Sequence, residues 1–382
     1  MSFDFFSVPR IVFGSGAIVR LGEFVPNDAR VLLVYNGRKG DIPHVCEFRQ
    51  RGEPTVIDID AALTIARDAC CDFVIGQGGG SAIDAAKAVA GLLSNGGFAS
   101  DYMEVVGKGQ KITRPAMPWI AIPTTAGTGA EVTRNAVIGW PERKFKASIR
   151  SELLMARVAL IDPQLGVDVP KDVTARSGAD ALCQCIEAYV STAADPMTDA
   201  IALKGVELAG RYLKRAYDDG QDLEAREGMA LAALLSGISL TNAGLGAVHG
   251  FAAPLGANFR VPHGTVCGVL LPRVIKANIQ ALRKLREGDA VLKKYAEIGQ
   301  ALAPNEGLRE EGNIQACELI TTDLARILDL PPLAQFGIAE ADVLEMVQLA
   351  KRASSMRFNP VVLDDATLSY VLTKAIQGPA VH

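Results

Sequence analysis

The chain has 382 residues, 49% hydrophobic and 21% charged, with a net charge of −4. That length supports two domains with separate cores, and a mean hydropathy of +0.19 excludes a disordered polypeptide. No run of five or six basic residues occurs, so a nucleic-acid surface is not expected, although one local arginine suffices to bind an acidic substrate.

The first residues, MSFDFFSVPR, lack a basic segment followed by an apolar core, and the longest apolar stretch, MALAALLSGISL, is too short to cross a bilayer. A cytoplasmic protein without a membrane partner is expected. Cysteines at 46, 70, 71, 183, 185, 267 and 317 are odd in number and irregular in spacing. They read as reduced thiols, mostly small core residues. The C-x-C pair Cys183 and Cys185 has no matching pair elsewhere, and the core reading is preferred there over soft metal ligands.

In chain order, ARVLLVY, DFVIG, PWIAIP and RVALID read as buried strands, rich in Val, Ile and Leu and bounded by turn residues. AALTIARDAC and SAIDAAKAVAGLL, between the early ones, have helical patterns. This alternation predicts an α/β domain with a parallel sheet over residues 1–162. After DPQLGVDVPKD the strand signal fades. SGADALCQCIEAYV, PMTDAIALKGVELAGRYL, LEAREGMALAALLSGISL and ADVLEMVQLAKRA have 3.6-residue periodicity, which predicts an all-α domain over 163–382. The groove between such domains is the expected ligand site.

Two loops follow strands. In DFVIGQGGGSAIDAAKA, Gly78, Gly79 and Gly80 let backbone approach a ligand, and a helix opening at Ser81 aims free N–H groups at it. A diphosphate suits that environment. Alternatively Ser81 and Asp84 form an S-x-x-D cap and the glycines only make a turn. In IPTTAGTGAEVT, Thr124, Thr125 and Thr128 place hydroxyls just past a strand's carboxyl end, where open α/β sheets bind ligands, although a plain threonine-rich turn has the same composition.

The chain has four histidines, His44, His249, His263 and His382. His249 and His263 bound the segment HGFAAPLGANFRVPH, in which Pro254 and Pro262 argue against one helix through both. Asp180 opens a predicted helix, with Gln184 and Glu187 on its face. Asp180, His249 and His263 make a carboxylate–imidazole set suited to Zn²⁺ or Fe²⁺. Asp180 as a helix cap and the histidines as structural residues are the competing readings.

GGGSAIDAAKA, PTTAGTGAEVTRNAVI, ALIDPQL, GADAL–IEAYVS and HG–PLGANFRVPHG, in this order, resemble the iron-containing alcohol dehydrogenase family, which belongs with glycerol dehydrogenase and dehydroquinate synthase. The likeness runs from about residue 8, at PRIVFGSG, to FNP at 358–360. It implies an N-terminal nucleotide-binding α/β domain, a C-terminal helical domain and a metal in the cleft. By position, Gly79, Gly80, Ser81 and Asp84 then bind the diphosphate of a nicotinamide cofactor. Thr124, Thr125, Thr128, Val137, Lys146 and Leu165 line the rest of its site, and Asp180, His249 and His263 hold the metal. The chain departs from the family at Gln184, where a fourth ligand is usually His, and at Ala253, where a second late His is usual. The segment between Asn36 and the glycine loop is also shorter.

The expected activity is metal-assisted, NAD(P)-dependent hydride transfer between a small alcohol and its aldehyde or ketone, by a homodimer or other homo-oligomer. A dehydroquinate synthase-like lyase is one alternative; it would need several basic residues around a phosphate, and this sequence has no such cluster near the metal motifs. A non-catalytic or metal-free relative is the other alternative. Asn36-Gly37-Arg38-Lys39 ends ARVLLVY without the ribose-binding acid of NAD sites, which favours NADP. Arg260 is a candidate partner for an anionic substrate group. With Gln184 as a poorer donor than imidazole, metal is expected to be held loosely.

Overall fold

The structure is a computed structural model describing residues 2–285, 288–304 and 307–378; His382 lies outside them. The described chain divides into two compact units, Phe5–Val169 and the part from Pro170 onward joined by the first residues.

The unit Phe5–Val169 is built on strands β1 (Ile11–Phe13), β2 (Val31–Tyr35), β3 (Cys46–Arg49), β4 (Phe73–Gly78), β5 (Trp119–Pro123), β6 (Asn135–Trp140), β7 (Phe145–Arg150) and β8 (Val158–Ile161), with helices α1 (Val56–Asp68), α2 (Gly80–Asn95) and α3 (Ala99–Tyr102). Six strands form a parallel sheet in the order β1-β8-β5-β4-β2-β3. Its central strands are buried along their length, which is why they read as unbroken apolar runs. From β2 the chain passes outward to β3, then returns to β4 on the other side of β2. The carboxyl ends of β2 and β4 therefore lie side by side where the strand order reverses, the usual ligand position in such sheets.

All four expected strands are present. β1, β3 and the antiparallel pair β6–β7 are additional. They carry weak signals: β1 has three residues, and β3 and β6–β7 are partly exposed and mix polar with apolar residues.

The second unit is helical, comprising α4 (Lys171–Tyr189), α5 (Pro196–Asp218), α6 (Leu223–Ala243), α7 (Ala247–Asn258), α8 (His263–Leu282), α9 (Asp289–Leu302), α10 (Glu310–Ile327), α11 (Val343–Arg352) and α12 (Asp365–Gln377). Every residue of α4 from Gly178 to Tyr189 is buried. A helix covered on all faces cannot leave its polar side chains unpartnered, so Asp180, Gln184 and Glu187 must find partners inside the protein. Gly205 of α5 lets that helix close on α4, since a Cβ there would stand 2.4 Å from Cys185 Sγ. Cys185 is accordingly a packing residue.

Two sequence expectations change in detail. Asp180 lies in the middle of α4, so it is neither a cap nor a dipole partner at a helix start. Pro254 sits inside α7, while Pro262 is the residue before α8. The two histidines still belong to separate helices, each within the first turn. Among the described residues no single helix is long and apolar enough to cross a membrane.

Candidate functional site

In the α/β unit, the loops after β2, β4 and β5 meet. Asn36 Oδ1 accepts the Gly79 N–H at 2.9 Å, and the Thr124 N–H donates to Gly78 O at 2.9 Å. Gly78 has φ +144°, and a Cβ on it would stand 2.0 Å from Asn36 Oδ1. A Cβ on Gly79 would stand 3.2 Å from Thr125 Oγ1, and one on Gly80 2.6 Å from Thr128 Oγ1. The glycines are thus required for the glycine and threonine loops to lie against each other. The turn Pro163–Gly166, which carries Leu165, adjoins Thr124 through Gly166.

α2 starts at Gly80 with no side-chain cap; the Ala82 N–H already donates to Gly79 O, which leaves the Gly80 and Ser81 N–H groups at the helix start for an anion. The alternative Ser81–Asp84 cap is not formed. Asp84 Oδ2 instead accepts the Val137 N–H at 3.0 Å, and Lys87 Nζ lies 3.4 Å from its Oδ1. Lys87 is fully buried and also donates to Ala130 O, Thr133 Oγ1 and Asn135 O at 2.7–2.8 Å. It fastens the end of the threonine loop and the start of β6 onto α2. Burial lowers the Lys87 amine and raises the Asp84 carboxyl, each partly countered by the other's charge. Lys87 was missed from sequence, where its signal was only an i,i+3 acid–amine pair inside an apolar helix.

On the β6–β7 hairpin, Val137 pairs with Ser148 and Lys146 lies two residues before that partner, so Val137 and Lys146 share one face. Lys146 is ion-paired with Glu53. Beyond β2, Arg38 pairs with Asp168 at 3.1 Å and Lys39 with Glu47 at 2.6 Å, both near the surface. Gln77 Oε1 accepts the Gly40 N–H at 2.9 Å and so ties this loop to β4.

In the helical unit, α4, α7 and α8 bring Asp180, His249, His263 and Cys267 together, with one potential ligand atom of each within 4.8 Å of all the others. His249 Nε2 lies 3.2 Å and His263 Nε2 3.6 Å from Asp180 Oδ1, and the ring centroids are 5.3 Å apart. His249 Nδ1 donates to Glu187 Oε2 at 2.6 Å, and Glu187 Oε1 accepts the Val248 N–H at 2.7 Å. Glu187 therefore fixes the ring through Nδ1 and leaves Nε2 toward Asp180, donating to that carboxylate here and offering its lone pair to a cation that would displace the proton. Asp180 and His249 are buried, whereas the His263 side chain is 38% exposed and marks the open side of the cluster.

Gln184 is buried one turn after Asp180. Its amide donates to Asp180 Oδ2 at 3.4 Å, and its Oε1 accepts from Ser236 Oγ of α6 at 3.0 Å. Burial opposes ionisation of Asp180, but the charge of His263 and hydrogen bonding by His249 outweigh it and hold the carboxyl below its ordinary range. Burial also acts against charge on His263, yet its neighbours Cys267 and Asp180 outweigh it and push it up to about 9. The chemistry of this donor set, a carboxylate and two imidazoles beside a thiol, fits a divalent transition-metal cation. Cys267 was not singled out from sequence, although its spacing of four from His263 places both on one face of a helix. Arg260 is exposed in the turn before α8 and makes no ion pair with another described residue, and Ala253 is exposed on α7.

Comparison with known proteins bears on both units. Residues 9–163 match the iron-containing alcohol dehydrogenase family and residues 174–376 match its C-terminal region, described as "Fe-containing alcohol dehydrogenase family, C-terminal". Alcohol dehydrogenase 4 of Saccharomyces cerevisiae is 34% identical over 98% of this chain and 98% of its own. The crystal structure of a 1,3-propanediol oxidoreductase superposes with a TM-score of 0.89 at 30% identity, covering 98% of this chain and 100% of that one. A sulfoacetaldehyde reductase from Bifidobacterium kashiwanohense, solved in complex with NAD+, gives 0.82 at 26% identity over 97% of this chain and 98% of that one. The chain belongs to the iron-containing alcohol dehydrogenase family and is an oxidoreductase acting on alcohols.

Proposed function

We propose that this enzyme interconverts a small alcohol and its aldehyde or ketone, with a nicotinamide dinucleotide as hydride partner and a divalent cation, Zn²⁺ or Fe²⁺, at Asp180, His249 and His263. The observation that carries the reading is the convergence of those three side chains, with Glu187 fixing the His249 tautomer. A cation held there supplies Lewis acidity toward the substrate's alcohol or carbonyl oxygen. The nicotinamide supplies or accepts the hydride.

The chain's own groups do the rest. Gly79, Gly80, Ser81 and Asp84 are assigned to the diphosphate side, where uncapped α2 amides favour an anion. Asn36, Thr124, Thr125, Thr128, Val137, Lys146 and Leu165 are assigned to the remainder of the cofactor. Asp180 stays ionised, supplying a negative charge beside two imidazoles. The partly open side at His263 admits substrate. Ala253 adds no imidazole one turn after His249, so the alcohol's proton passes to water. Arg260, exposed and without an ion pair among the described residues, is assigned to an anionic group on the substrate. Asn36, Arg38 and Lys39 favour NADP(H) over NAD(H), and the enzyme works as a cytoplasmic homodimer on diffusible substrates.

Oxidation of NADPH and NADH over a panel of aldehydes and ketones, with the reverse reaction on the alcohols, tests this. Turnover that chelation abolishes and Zn²⁺ or Fe²⁺ restores is expected. No turnover with any substrate under either metal would sink the proposal.

A further inference from the structure

We infer that Cys267 is a fourth protein ligand at the metal centre, taking the place that Gln184 leaves, and that the resulting Asp–His–His–Cys set selects zinc over iron. The inference rests on the reading of Asp180, His249 and His263 as metal ligands.

Three observations carry it. Cys267 Sγ belongs to the same tight cluster as the other three donors, is fully buried, and lies 3.6 Å from His249 Nε2. That nitrogen is the one facing Asp180, so the sulfur stands on the ligating side of the ring. Cys267 also follows His263 by one turn of α8, so a single helix presents an imidazole and a thiol to one point.

The second observation concerns Gln184. Only its amide oxygen has a lone pair for a cation, and that oxygen faces Ser236, while the amide nitrogen faces Asp180. The residue is used as a strut between α6 and the Asp180 carboxylate.

The third separates Cys267 from the cluster's other thiol. Cys183 Sγ is a hydrogen-bond partner of Cys267 but lies 3.9 Å from His249 Nδ1, the nitrogen already committed to Glu187, and falls outside the four-donor group. Cys183 therefore backs the imidazole and does not ligate.

Coordination would exchange the Cys267 thiol proton, released to solvent, for the cation. Asp180 and a thiolate together would balance the charge of a dication. A thiolate among imidazoles and a carboxylate is a borderline-soft set, which suits zinc better than an all-nitrogen and oxygen site does.

Cobalt(II) serves as the probe, added to the metal-free full-length protein. Wild type is expected to bind one equivalent and to develop the near-ultraviolet sulfur-to-cobalt charge-transfer band. X-ray absorption of the zinc form is expected to show one sulfur neighbour at about 2.3 Å. Cys267→Ser should lose both signals and weaken zinc binding by more than the roughly tenfold typical of losing an outer-sphere partner. Cys183→Ser should keep both. Thermal melting of each metal-free variant against wild type identifies any loss of fold, and loss of the sulfur signal in Cys183→Ser but not in Cys267→Ser would overturn the assignment to Cys267. Stoichiometric cobalt without a sulfur signal would overturn the Cys267 assignment and leave the metal reading standing. No cobalt binding by the folded wild type would overturn both.

Discussion

Glu187 Oε2 accepts the Nδ1 proton of His249 at 2.6 Å, from the same helix that carries Asp180. One helix thus supplies both a candidate ligand and the group that orients another. Replacing Glu187 by Gln keeps an acceptor for the Val248 N–H but removes the charge behind the imidazole. Zinc affinity is expected to fall on the order of 10- to 100-fold, with little change in the secondary structure seen by circular dichroism. Calorimetric zinc titration measures it, and an unchanged affinity would show that the tautomer is set elsewhere.

Gln184→His restores the imidazole usual in the family. Because Cys267 is taken as the fourth donor, zinc affinity is expected to change by less than about tenfold. The new ring must also displace the contact to Ser236, which opposes any gain. An increase well beyond that would mean that the native site lacks a donor.

Gly80→Ala tests the contact between the two nucleotide loops. The added Cβ would stand 2.6 Å from Thr128 Oγ1 and 2.9 Å from its Cγ2, and threonine is too short to swing away. The loops must separate, and the dissociation constant for NADPH is expected to rise about tenfold or more, equivalent to about 1.4 kcal/mol. Fluorescence titration would show it, and unaltered binding would argue that the diphosphate does not depend on this contact.

The sheet's centre was legible because β2, β4, β5 and β8 are continuous apolar runs between turn residues. The glycine and threonine loops were legible because backbone approach demands glycine at Gly78 and Gly80. Asp180, His249 and His263 were named from residue chemistry, and the structure gathers all three. What escaped has a common physical origin: it depends on contacts between segments distant in sequence. Lys87 sits in an apolar helix and makes sense only once Ala130, Thr133 and Asn135 fold over it. Gln184 reads as a weakened ligand until Ser236 is seen against its oxygen, and Cys267 reads as a core thiol until α7 brings His249 to it.

Asn36→Asp should change cofactor preference without disturbing the loop. A carboxylate oxygen accepts the Gly79 N–H as the amide oxygen does, but adds a charge beside Arg38 and Lys39. Arg38 is held by an exposed ion pair with Asp168, and Lys39 by one with Glu47 and by the Tyr35 ring at 5.9 Å; such exposed pairs are worth roughly 0–1 kcal/mol, so a 2′-phosphate can compete for both cations. NADPH affinity is expected to fall and NADH affinity to rise, moving their ratio about tenfold. Parallel shifts for both cofactors would place the adenosine ribose away from Asn36.

The last prediction concerns stability and pH. Glu131, buried just after the threonine loop, has its carboxyl pushed up to about 7 by burial, against 4.5 for an ordinary glutamate. Between those values the folded chain keeps a proton that the unfolded chain has released. Stability from this group therefore falls as pH rises from about 4.5 to about 7, and is level above that. A shift of this size corresponds to about 3 kcal/mol at most, with the nearby Lys87 charge already working against it. Glu131→Gln stays neutral throughout and should gain on wild type across that window, becoming the more stable protein above about pH 7. Urea unfolding at about pH 5 and about pH 8 measures the difference. If the gap between variant and wild type is the same at both, the carboxyl titrates normally in the folded protein and the prediction fails.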